Sequence, residues 1–129
     1  MNDNTAYWLD MAEYDLETAR AMLLTKRFLY VAFMCHQVIE KMLKAVIAGT
    51  DENVEPPKVH NLVRLAELSG LSKELSPEQK KFVEVLTPMN VEARYKAYKE
   101  KMAAGLSEQK CVEFIKETEE LFAWIKKRL

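Results

Sequence analysis

Residues that break helices are scarce in this chain: three glycines and four prolines among 129 residues. Ala, Leu, Met, Glu and Lys are plentiful instead, side chains that lose little rotamer freedom in a helix. A sheet protein would call for more β-branched runs and turn residues, so the composition predicts an all-α fold. Cysteine is equally thin. Cys35 and Cys111 both fall inside helical patterns, which excludes a disulfide framework and reads as two buried thiols in a reducing compartment. With only His36 and His60, the chain cannot furnish a His-rich metal site, and it has no H-E-x-x-H, Gly-rich phosphate loop or dinucleotide fingerprint. No metal, cofactor or complete catalytic set is expected.

Charge of one sign is missing too. Nineteen basic and twenty acidic side chains leave a formal net charge of −1, without the basic excess that advertises nucleic-acid binding. The apolar run near residues 30–48 is interrupted by His36, Glu40, Lys41 and Lys44, too much charge for a membrane span. The acidic start, MNDNTAYWLDMAEYD, has no basic stretch leading into an apolar one, and a cytoplasmic protein is expected.

What is there is a set of apolar stripes at helical spacing in one domain, residues 1–129. Leu9, Ala12, Leu16, Ala19 and Leu23 draw the first stripe, over about Thr5–Lys26, with Asn4 or Thr5 as its cap. The second helix, about Phe28–Ala48, is apolar over most of its circumference, which places it at a bundle centre or a subunit interface. Gly49 is expected to end it in the left-handed conformation. A loop over Thr50–Val59, stiffened by Pro56-Pro57, leads to a short helix, about Asn61–Ser69, packing through Leu62, Leu65, Ala66 and Leu68 and closed by Gly70. Ser76-Pro77-Glu78-Gln79 is a capping box with proline at the first helical position, and Pro88 ends the helix it starts. Thr87–Arg94 reads as irregular, and Tyr95–Ala104 as a loop or a short helix. After Gly105 and Ser107 a last helix runs over about Glu108–Arg128. Long helices joined by tight links predict an up-and-down bundle of four to five antiparallel helices.

Two segments stand out chemically. On the second helix, Gln37, Glu40, Lys41 and Lys44 form a continuous polar ridge. It reads either as a solvent-facing strip or as the lining of an inter-helix cleft or dimer seam. Further on, Arg94, Tyr95, Lys96, Tyr98, Lys99 and Lys101 crowd four cations and two tyrosines into eight residues. Arginine grips phosphate in a bidentate fork, lysine adds charge and tyrosine stacks on bases, whereas a plain surface segment would only offset neighbouring acids. His60 reads as a residue that starts, caps or packs the third helix, and His36 as a satisfied core residue. Glu113, Glu117 and Glu120 mix with Lys110, Lys116 and Lys127 and read as a solvated face.

Taken in order, Trp8, Ala12, Asp15-Leu16 and Ala19, then Tyr30, Phe33, Gln37-x-x-Glu40-Lys41-x-Leu43-Lys44-Ala45, then His60-x-Leu62-x-x-Leu65, Ala93-Arg94-Tyr95 and Trp124-Ile125, resemble the HEPN domain, the higher-eukaryote and prokaryote nucleotide-binding family. The resemblance implies a helical bundle, commonly a homodimer. It also implies a domain that binds nucleotide or RNA, often beside a minimal nucleotidyltransferase in a toxin–antitoxin pair. Other members are metal-independent RNases carrying Arg-x4–6-His. Here Lys99, Glu100 and Lys101 occupy those positions after Arg94, so a non-cleaving member is expected, with Arg94, Tyr95, Lys96, Tyr98, Lys99, Gln37, Glu40, Lys41, Lys44 and His60 as ligand-binding candidates. Two alternatives stay open: an RNase with a non-standard site, such as Arg94 with His60 of a neighbouring subunit, and a purely structural interaction module.

Overall fold

A computed structural model describes residues 1–90, 100 and 104–129; the segment that holds Arg94, Tyr95, Lys96, Tyr98 and Lys99 lies outside them. The described residues form five α-helices and no strand: α1 (Asp3–Leu24), α2 (Phe28–Thr50), α3 (Leu62–Leu68), α4 (Pro77–Leu86) and α5 (Glu108–Lys126). Short 3-10 turns at Leu71–Lys73 and Thr87–Met89 follow α3 and α4. Among these residues no helix is long and apolar enough to cross a membrane.

The cross-links show how the helices run. Asn2 Nδ2 donates to the Ala48 carbonyl, Thr5 Oγ1 to that of Ala45, and Lys41 Nζ to Asp15. Partner numbers fall along α2 as they rise along α1, so the two are antiparallel. The link between them is three residues long and turns on Lys26, at φ 60°. Arg20 with Glu119 and Lys126 with Glu13 make α1 and α5 antiparallel as well. It follows that α2 and α5 run side by side in the same direction, and Cys111 Sγ accordingly reaches the carbonyl of Phe28 at the start of α2.

Helix α2 is the centre. Val31, Ala32, Cys35, Val38, Ile39, Met42, Leu43, Ala45 and Ala48 are all buried there. Around it pack Leu9, Ala12, Leu16 and Ala19 from α1, Leu62 and Leu65 from α3, Phe82, Val83 and Leu86 from α4, and Phe114, Ile115, Leu121 and Ile125 from α5. The thiols belong to this core. Burial pushes Cys35 up to about 12, against the lowering influence of the neighbouring Thr118 hydroxyl, and pushes Cys111 up to about 11. Thiols so rarely ionised are inert.

Several local expectations are corrected. Helix α1 begins two residues earlier than expected, because Asn2, not Asn4 or Thr5, accepts from the free Thr5 N–H at 2.7 Å. Thr5 is buried, its hydroxyl spent on α2. Gly49 lies inside α2, which continues to Thr50. A Cβ there would come within 3.3 Å of Thr5 Oγ1, so this glycine makes room for α1 and does not cap. Gly70 does take the left-handed conformation, at φ +81° after α3. Leu68 is exposed, not packed, and Lys126 ends α5 short of Arg128. Thr87–Met89 forms a turn of 3-10 helix where irregular chain was expected. The capping box at Ser76 and Gln79 is present in full, with Pro77 at the first helical position.

Candidate functional site

The polar ridge of α2 is not a solvent-facing strip. Glu40 and Lys44 are buried, at 4% and 5% exposure, and Lys41 and Gln37 are half-buried. A charge taken out of water is costly unless partnered, so the partners define what this region is. Glu40 Oε2 accepts from Lys44 Nζ at 3.2 Å, one turn along the helix. Its Oε1 accepts from His60 Nδ1 at 3.0 Å. Lys44 also lies over the Trp8 indole of α1, 5.6 Å from its centroid, where the ring face attracts the cation. Lys41 bonds the buried carboxylate of Asp15. Two buried carboxylates and two ammonium groups thus form a polar layer between α1, α2 and the approach to α3.

His36 completes the layer. Its side chain is fully buried, and that burial lowers its pKa from 6.5, although Glu40 Oε1 at 3.8 Å opposes the shift. A neutral imidazole has one N–H. Nε2 lies 3.1 Å from the His60 carbonyl oxygen, an acceptor only, so the proton sits on Nε2. Nδ1 lies 3.3 Å from Gln37 Oε1; with the proton on Nε2 both atoms are acceptors, so this pairing requires the amide turned to offer its NH2.

Both histidines therefore serve one end. His36 holds the backbone of His60, and Glu40 holds its ring. The third-helix cap expected of His60 is supplied by Asn61, whose Oδ1 accepts from the Arg64 N–H at 3.0 Å. His60 instead presents an imidazole with its side chain 61% exposed, pinned from below through Nδ1. Among the described residues Nε2 has no partner and is the nitrogen left to meet a ligand. Exposed Lys58 and Arg64 flank it in the chain.

Of the ten candidate residues, the structure brings together Gln37, Glu40, Lys41, Lys44 and His60. Arg94, Tyr95, Lys96, Tyr98 and Lys99 lie outside the described residues. Asp15, Trp8 and His36 are members of the layer that residue chemistry alone did not single out as site residues. The available signal was an Asp within the apolar stripe of the first helix, beside Leu16 and three residues after Ala12. Among the described residues no group of three or more His, Cys, Asp or Glu side chains is arranged to hold a metal ion.

A hollow of about 450 Å3 lies at the far end of α2, lined in part by Asn2, Thr5, Gly49 and Arg128. It is a poorer candidate. Thr5 is committed to the Ala45 carbonyl, and Arg128 stacks on Trp124 at 3.5 Å and bonds Glu74 at 3.4 Å.

Comparison with known proteins agrees with this architecture. No curated protein matches the sequence. The fold is similar to that of TT1696 from Thermus thermophilus, a crystal structure, with a TM-score of 0.80 and 17% identity over 99% of this chain and 100% of that one. That identity carries the fold alone. The family model of the HEPN domain matches residues 5–129, and on that match over nearly its whole length the chain belongs to the HEPN family of nucleotide- and RNA-related domains.

Proposed function

We propose that this HEPN domain binds a nucleotide or RNA phosphate, acts as a homodimer beside a separate minimal nucleotidyltransferase in a toxin–antitoxin-like pair, and does not itself cleave RNA. The observation that carries the binding half is the buried Glu40 that holds both the exposed His60 and Lys44, with Lys44 lying over the Trp8 ring. Packing alone gives no reason to bury two ion pairs, since apolar residues of similar volume do as well or better. A pinned imidazole can meet a phosphate oxygen, and an aromatic ring in the same polar layer can meet a base. The Arg94 cluster adds four cations in the same chain.

The non-cleaving half rests on the sequence. His36 and His60 are the only histidines, and neither follows Arg94. Lysine at the expected position is a poor base, because it stays protonated at neutral pH. Labelled RNA is expected to remain intact with the purified protein between about pH 6 and 9, near the range where histidine chemistry operates. Cleavage abolished by His60→Ala would instead establish the non-standard RNase.

Calorimetric titration with ATP and with a short RNA tests binding, with Arg94→Ala as the control. Heat with either ligand, weakened in the variant, is expected. No heat with both removes the nucleotide reading and leaves the structural interaction module. The pairing is tested by co-expression with the product of an adjacent reading frame bearing the Gly-Ser and Asp-x-Asp signature of a minimal nucleotidyltransferase. Co-purification of the two is the supporting result.

A further inference from the structure

We infer that His60 is the phosphate contact of this face, its Nε2 meeting the phosphate oxygens of a nucleotide, and that Glu40 is the residue that positions it. The inference rests on the nucleotide-binding reading above and names the atom that carries it out. The geometry is the argument. An exposed side chain normally samples several rotamers, and fixing one costs entropy that a surface residue has no reason to lose. His60 is fixed twice: its ring by Glu40 at 3.0 Å, its backbone carbonyl by His36 at 3.1 Å.

Both of those partners are buried, and Glu40 is itself held by the buried Lys44. The Nδ1–H bond to a carboxylate also fixes which nitrogen points outward. Nε2 is therefore the ring nitrogen turned away from Glu40, and among the described residues it has no partner. When protonated it donates a charge-assisted hydrogen bond to a phosphate oxygen. The exposed Lys58, two residues before His60, adds a cation to the same approach to α3, whereas Lys41 is paired with Asp15 and Arg64 with Glu67 at 3.2 Å.

The phosphate can belong to a free mononucleotide or to an RNA backbone, and the test separates the two. AMP, adenosine and a short RNA oligonucleotide without a terminal phosphate are titrated into wild-type protein and His60→Ala. His60→Ala leaves the Glu40–Lys44 pair in place, and its far-UV circular dichroism is compared with the wild type before titration. The expected result is a loss of about tenfold or more in AMP affinity, the size of one charged hydrogen bond, with adenosine unaffected. A matching loss for the oligonucleotide extends the contact to the phosphodiester; a loss confined to AMP restricts it to a terminal phosphate.

A second measurement needs no variant. Imidazole 15N spectra of the wild type should show His60 with its proton on Nδ1, and AMP should shift its Nε2 signal while leaving His36 in place. Glu40→Gln should weaken the tautomer preference and the AMP affinity together. If AMP binds wild type and His60→Ala equally and the Nε2 signal does not move, this inference falls and the nucleotide-binding reading stands. If neither AMP nor RNA binds the wild type, both fall.

Discussion

At the scale of single residues, the polar layer is where the chain is most sensitive. Glu40→Ala would leave Lys44 buried without its carboxylate, and breaking a buried pair from one side costs about 3–5 kcal/mol. Urea denaturation should show that loss, whereas His60→Ala, which takes one partner from Glu40 but leaves it Lys44, should cost less, about 1–3 kcal/mol. His36 adds a pH dependence. Burial lowers its pKa below 6.5, so below that value the unfolded chain takes up a proton that the folded chain refuses. The stability it contributes is fully present above pH 6.5 and is lost as pH falls toward its lower folded value. Urea midpoints should drop on acidification from that point, and His36→Gln should flatten that part of the profile. An unchanged slope in the variant would mean that another group governs it.

At the scale of elements, the helices were legible where a local rule decides them. The capping box at Ser76 needs only four adjacent residues, and it formed as read. Ser76→Ala should cost about 1 kcal/mol. Gly49 was misread for the opposite reason. A glycine near a helix end suggests a left-handed cap, but here the space requirement comes from the Thr5 hydroxyl, on another helix and far away in the sequence. Replacing glycine with alanine inside a helix ordinarily gains about 1 kcal/mol. Thr5 Oγ1 is tethered to the Ala45 carbonyl at 3.1 Å and has little freedom to retreat, so Gly49→Ala should forfeit that gain. In a Thr5→Ala background the gain should reappear, and the double-mutant cycle measured in urea gives the coupling. Additivity would show that the contact does not matter.

At the scale of the whole molecule, the bundle was legible because stripes of Leu, Ala and Ile repeat with the helical period. The site was only half legible. Gln37, Glu40, Lys41 and Lys44 share one face by spacing alone, but their burial depends on Trp8 and Asp15 closing over them from α1, which no pattern within α2 encodes. The same arrangement makes α2 the element through which everything else is joined. It packs against α1 through Thr5 and Asp15, holds the approach to α3 through His36, and meets α5 through Cys111. None of the described helices can leave without uncovering α2, so the protein should unfold in one cooperative step. Trp8 on α1 and Trp124 on α5 report on separate elements around that axis. Single-tryptophan variants, Trp8→Phe and Trp124→Phe, should give fluorescence midpoints that coincide with each other and with far-UV circular dichroism. Ile39→Ala, at the fully buried centre of α2, should move all of these transitions together by about 2–5 kcal/mol. A Trp8 transition that preceded the Trp124 transition would show the polar layer opening before the apolar core, and would sink the idea that α2 binds the two into one unit.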